Sequence, residues 1–66
     1  MNIILNGEKH GLAEPLTVRG LIAALELEGK RLAVEVNEEV IPRSQHAAFR
    51  LNDGDRVEIV RAIGGG

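Results

Sequence analysis

The sequence ends in Arg61-Ala62-Ile63-Gly64-Gly65-Gly66, three glycines directly after an apolar, β-type run, the last of them expected to carry a free α-carboxylate. Glycine has no Cβ, so such an end extends into a passage too narrow for other side chains, and nothing crowds attack at its carbonyl. A free carboxylate at neutral pH is a poor electrophile and reacts only once its oxygen becomes a good leaving group. The expected chemistry is therefore activation by another protein, with Gly66 as the reacting residue and Gly64 and Gly65 as a thin stalk. A glycine-rich end also reads as a frayed or tolerated terminus, so the rest of the chain has to decide between the two.

The remaining chemistry-bearing residues offer little competition. His10 and His46 are the only histidines and there is no cysteine. Two ligands without a thiol do not specify a metal site, and a thiol nucleophile is excluded. Glu26 and Glu28, and Glu38 and Glu39, are acidic pairs at spacings that do not face one another across a substrate. Asp53 and Asp55 flank Gly54 in a turn, where local hydrogen bonding accounts for them. The closing glycines form no phosphate-binding loop, because no helix follows to present its N-terminus. The chain is thus expected to bind no metal or cofactor of its own.

Composition bounds the scaffold that must present this end. Sixty-six residues make one domain near the lower limit for an unstapled core. Hydrophobic residues make up 44% with one Phe and no Trp or Tyr, which implies an aliphatic core. The net charge of -2 comes from 8 basic and 10 acidic residues spread along the chain. Without a basic stripe or a stacking platform, nucleic acid is not an expected partner. No stretch reaches the length of a membrane span and Met1-Asn2-Ile3 carries no signal-peptide pattern, so a cytoplasmic location is expected.

Periodicity then gives the elements. Residues 1–6 are rich in β-formers and close on Asn6-Gly7, a hairpin dipeptide, with a weaker second strand near Glu8 to Leu12. Val18, Leu21, Ile22 and Leu25 recur at helical spacing behind Thr17 as N-cap, with Leu16 and Leu21 placed as a hydrophobic staple. Gly29 is the expected helix stop, and Gly20 the expected mark of a close approach to a neighbouring backbone. Leu32, Val34 and Val36 alternate with Ala33, Glu35 and Asn37 as a half-buried strand. Val40-Ile41-Pro42 is a short extended piece, confined by Pro42 to an edge or an end. Residues 43–49 are expected to form one helical turn and Asn52-Asp53-Gly54-Asp55 a turn. Residues 56–61 are the last strand.

The order β-β-α-β-β-β predicts an α+β fold in which a mixed sheet of four to five strands packs on one main helix. A last strand lying parallel beside the first would give both central strands pairing on two sides, with the intervening chain as the crossover. This is the β-grasp, or ubiquitin-like, arrangement. Residues 1–63 are expected to form the domain and 64–66 the reactive tail.

Asn6-Gly7-Glu8 after the first strand, Val34-Glu35-Val36-Asn37, Val40-Ile41-Pro42-Arg43-Ser44, and Asp53-Gly54-Asp55 leading into Val57-Glu58-Ile59-Val60 stand in order before the glycine end. Together these pieces, spanning essentially the whole chain, resemble the ThiS family, the sulfur carrier proteins of thiamine biosynthesis. Many members end in two glycines where this chain has three, and some carry a Trp that residues 45–49 lack. The resemblance implies a carrier, not an enzyme. An adenylyltransferase of ubiquitin-activating type, ThiF-like, would use ATP and Mg to convert the Gly66 carboxylate to an acyl-adenylate. A cysteine desulfurase system would supply sulfur to form the thiocarboxylate, and thiazole synthase, ThiG-like, would accept it. Two other readings stay open, a molybdopterin-type sulfur carrier and a ubiquitin-like interaction module.

Strand alternation separately suggests a docking face. With Ile3, Leu5, Val57 and Ile59 inward, Ile4 and Val60 point outward. With Ala33 and Ala62 they are expected to form an apolar patch near the base of the tail, although scattered surface apolar residues are the equal alternative. Ile63 is expected to leave the sheet and enter a partner groove. Arg56 and Arg61 are placed to steer an acidic partner surface or are simply solvated.

Overall fold

Asn6 and Gly7 take φ values of 49° and 85°, the left-handed pair that a two-residue hairpin of type I′ requires. They join β1 (Asn2–Leu5) to β2 (Glu8–Gly11), paired antiparallel with Leu5 opposite Glu8. The structure is a computed structural model and describes residues 1–61. A second hairpin of the same kind follows the helix: Asn37 and Glu38, at φ 52° and 70°, join β3 (Leu32–Val36) to β4 (Glu39–Val40). The last strand, β5 (Arg56–Arg61), lies between the two hairpins, parallel to β1 and antiparallel to β3. The sheet order is β2-β1-β5-β3-β4. Both edge strands are short, and Pro42 follows β4 without interrupting a ladder, as its missing N–H demands.

One helix, α1 (Val18–Ala24), covers one face of this sheet. Its start follows the sequence: Thr17 Oγ1 accepts from the Gly20 N–H at 3.1 Å. The turn is stitched to the segment before β5, with Val18 N donating to Phe49 O and Leu51 N to Leu16 O, each at 2.9 Å. Its end does not follow the sequence. Gly29 takes a positive φ in a later turn, whereas the chain leaves the helix at Glu26, φ 59°, two residues after Ala24. Leu27 N bonds Ile22 O and Glu26 N bonds Ala23 O, both at 3.0 Å, the paired bonds of a Schellman closure. Burying Leu27 against the core selects this earlier exit even though a glutamate must adopt the left-handed conformation. Gly20 likewise corrects its expectation. A Cβ there would meet side-chain atoms of Leu16 and of the cap residue Thr17 at 3.4 Å, and no neighbouring backbone.

The core is aliphatic: Ile3, Val18, Leu21, Val34 and Val57 are the largest fully buried side chains, with Val36, Ile41, Leu51 and Ile59 around them. Leu5 is only half-buried but packs against the cluster from the expected face. The opposite face of the sheet carries Arg56, Glu58 and Val60 of β5, all exposed. One packed and one solvated face is the pattern that the strict alternation in β3 and β5 dictates. Residues 43–45 form a single 3₁₀ turn, Arg43–Gln45, preceding β5 by way of the 49–55 loop.

Candidate functional site

What the fold positions is the end of β5. Its first half is held on both sides. Asn6 N donates to Val57 O at 2.9 Å and Ile4 N to Asp55 O at 2.9 Å from the β1 side. From the β3 side Asn37 N donates to Arg56 O at 2.7 Å, and Arg56 N returns a bond to Asn37 Oδ1 at 2.9 Å. Asp55 accepts from Asn52 N at 2.8 Å and from Asn37 Nδ2 at 3.0 Å, and Asp53 accepts from Asn2 N at 2.7 Å. The two aspartates therefore serve the turn, as their spacing suggested.

Past the point where β1 turns away, the Asn6 side chain takes over. Its Oδ1 accepts from Ile59 N at 2.9 Å and its Nδ2 donates to Ile59 O at 3.3 Å, so one side-chain amide stands in for the next residue of a strand. Beyond it, among the described residues, only β3 pairs with β5, Ala33 opposite Val60 and Leu32 opposite Arg61. Val60 is 59% exposed, and Ala33 and Arg61 are exposed beside it. The expected site residues Ala62, Ile63, Gly64, Gly65 and Gly66, with the boundary proposed between residues 63 and 64, lie outside the described residues.

The register separates the residues of the expected apolar patch. Ile4 is half-buried and pairs with Arg56, four positions before Val60 along β5, with Glu58 between them on the same face. Alternation gave the correct face for both residues but could not give the offset between β1 and β5. Val60 and Ala33 adjoin at the end of β5. Ile4 instead borders a shallow depression shared with Glu35, Glu38 and Arg56. Arg56 lies 3.8 Å from Glu38 across two exposed side chains, while Arg61 closes the strand at its other end.

The histidines divide. His10 lies in β2 opposite Ile3, within the β1–β2 ladder that continues through Gly11. His46 is buried, and its Nε2 donates to Ile41 O at 3.0 Å, a structural bond that holds the 43–49 segment against the core. Among the described residues no group of three His, Cys, Asp or Glu gathers to hold a metal ion. No described helix is long and apolar enough to cross a membrane.

A further feature escaped the sequence. Arg19, Lys30, Arg31 and Arg43, far apart in the chain, line one cleft of about 590 Å³ beside Leu32. Sequence spacing shows no basic stripe, and only the fold brings α1, the loop before β3 and the 3₁₀ turn together.

Among the described residues one α-helix packs on a mixed five-stranded sheet with parallel first and last strands, which makes this a ubiquitin-like β-grasp domain. Its last strand presents an open end. The ThiS family matches residues 3–66, and the chain belongs to it. A crystal structure of a thiamine biosynthesis protein (ThiS) from Geobacter metallireducens superposes with a TM-score of 0.87 at 38% identity, each chain covered in full. The sulfur carrier protein ThiS of Escherichia coli is 30% identical over 66 residues, again covering both chains entirely. A thiazole synthase of Paramagnetospirillum magneticum is 41% identical over 66 residues, all of this chain but only 20% of that protein. The chain thus spans about a fifth of that relative's length.

Proposed function

We propose that this chain is a sulfur carrier of thiamine biosynthesis, acted on by partner enzymes and not itself a catalyst. The carrying observation is the family match, which runs through residue 66 and so includes the glycine end. In this reading a Gly66 carboxylate oxygen attacks the α-phosphorus of ATP, held with magnesium by an adenylyltransferase of ubiquitin-activating type, and pyrophosphate leaves. A persulfide sulfur, supplied by a cysteine desulfurase system, attacks the acyl-adenylate carbonyl and AMP departs. A second thiol cleaves the resulting acyl disulfide, leaving the terminal thiocarboxylate. This chain contributes placement: β5 is bonded on both sides at its start and paired with β3 as far as Arg61, and Gly64, Gly65 and Gly66 offer no side chains to an active-site passage.

Thiazole synthase is the proposed acceptor of the sulfur. A protein of that name holds, within one polypeptide, a segment similar to all of this chain. The thiamine biosynthesis named for the Geobacter metallireducens protein favours this pathway over a molybdopterin-type carrier. Val60 with Ala62 and Ile63 is the proposed interface for these partners, and Ile4, displaced along the sheet, is proposed to lie at its margin. The test is mass spectrometry after incubation with the activating enzyme, ATP and a sulfur donor. The expected result is the mass of one oxygen replaced by sulfur, localised to Gly66. An unchanged mass would point to the interaction module.

A further inference from the structure

Four of the chain's 8 Lys and Arg residues face one cleft: Arg19 of α1, Lys30 and Arg31 of the following loop, and Arg43 of the 3₁₀ turn. All four are exposed, and among the described residues of the lining Glu28 is the one carboxylate. The ion pair found among the described residues joins Arg56 to Glu38 at the opposite end of β5, so it neutralises none of them. Arg19 is moreover the second residue of α1, where the free N–H groups favour an anion and disfavour a cation. Its position runs against its local electrostatics, while its charge suits the cleft.

Beside the cations the cleft has an aliphatic floor of Ile22, Leu27, Leu32 and Ala47, together with the buried His46, whose Nε2 is already bonded to Ile41 O. A bare phosphate would engage the cations and leave this floor in water. A nucleic acid strand would find no exposed aromatic ring to stack on among these described residues, because His46 is buried. A protein segment with carboxylates spaced between aliphatic side chains satisfies both the charge and the floor. Location adds to the argument: Leu32 of the cleft pairs with Arg61 across the β3–β5 ladder, so the cleft opens beside the end of β5.

We infer that this cleft docks an acidic, aliphatic-punctuated segment of the protein that acts on Gly66. The inference deepens the sulfur-carrier reading and rests on it for the partner's role, whereas the binding chemistry stands on the cleft itself. Docking through like-signed clusters of this kind raises encounter rate and weakens as salt rises.

The test is an amide NMR titration of the full chain with a short alternating Glu-Leu peptide, beside an alternating Lys-Leu peptide and inorganic pyrophosphate. Shifts are expected at residues 19, 27–32 and 43–47, with affinity falling as salt is added. Arg43→Glu should weaken binding about tenfold, whereas Lys9→Glu, the same change in net charge on exposed β2, should not. Arg19→Glu should weaken binding and raise the thermal midpoint together, so lost binding there cannot reflect unfolding. Equal effects of Arg43→Glu and Lys9→Glu, equal binding of the Lys-Leu peptide, or pyrophosphate matching the Glu-Leu peptide would each overturn the inference. With the activating enzyme, Arg43→Glu should raise KM and leave kcat unchanged, and an unaltered KM would also overturn it. Absence of any thiocarboxylate on the parent chain would instead sink the sulfur-carrier reading, so the two failures are told apart.

Discussion

The two ends of β5 are built on opposite plans. At its start the strand is braced from both neighbours and from below: backbone bonds from Ile4, Asn6 and Asn37 converge on Asp55, Arg56 and Val57, and the carboxylates of Asp53 and Asp55 lock the preceding turn. At its finish β3 alone continues the ladder, and Val60 and Arg61 stand exposed. The hinge between the plans is Asn6, whose amide holds Ile59 where β1 has already turned away. Fixing one end of a strand removes the freedom of its other end without covering it. A small domain gains an end that is fixed in position yet open to approach, which is what a carrier needs if its reacting atoms are to reach a partner's active site.

The largest expected effect comes from loosening the braced end. Asp55→Ala removes the acceptor of both the Asn52 N–H and the Asn37 amide, and bonds to a charged group of this kind are worth about 1.5–3 kcal/mol. A destabilisation of about 2 kcal/mol, read as a lower urea midpoint at unchanged m, is a large share for a chain this short. A change within about 0.5 kcal/mol would mean that backbone pairing alone braces the strand. Asn6→Ala should cost about 1–2 kcal/mol, because it removes two bonds to Ile59 and puts a Cβ-bearing residue without a local polar partner in the left-handed turn. Its distinguishing sign is faster hydrogen exchange at Ile59 with little change at Val57.

The open end should respond in the other sense. Val60→Asp is expected to shift stability by no more than about 0.5 kcal/mol, since the side chain is exposed, but to slow sulfur loading by about tenfold. Loading measured by intact mass against time decides this. Undiminished loading would move the interface away from Val60 and Ala33, while a large loss of stability would erase the contrast between the two ends of the strand.

How far the contrast could be read in advance follows the range of the interactions. Features set by residues a few positions apart were legible: the Asn6-Gly7 turn, the Thr17 cap, and the outward face of Val60. Features set by register across the chain were not. The Asn6 bond to Ile59 joins residues 53 positions apart. The same offset places Ile4 beside Arg56 instead of Val60. The four cations of the cleft meet only because α1, its following loop and the 3₁₀ turn pack together. The helix end was misplaced for a third reason: a glycine was present at Gly29, but the apolar Leu27 fixed the closure earlier, at Glu26.

Glu38 shows the same limit and gives the smallest of the expected effects. Asn37-Glu38 takes the turn that Asn6-Gly7 takes, yet glutamate carries no turn signal, so nothing in the sequence marked a hairpin there. The register of β3 and β5 imposes it, because Asn37 must aim both backbone and side chain at Arg56. Holding a Cβ-bearing residue left-handed costs about 1–2 kcal/mol, partly offset by the chain entropy a glycine would lose. The Glu38 contact with Arg56, at 3.8 Å between exposed side chains, returns little of that. Glu38→Gly should therefore stabilise the domain by about 0.5–1 kcal/mol while leaving loading at Gly66 unchanged. A stabilised variant that loads more slowly would show instead that the braced end contacts the partner through Glu38, and that the two ends of β5 are not divided in function as they are in structure.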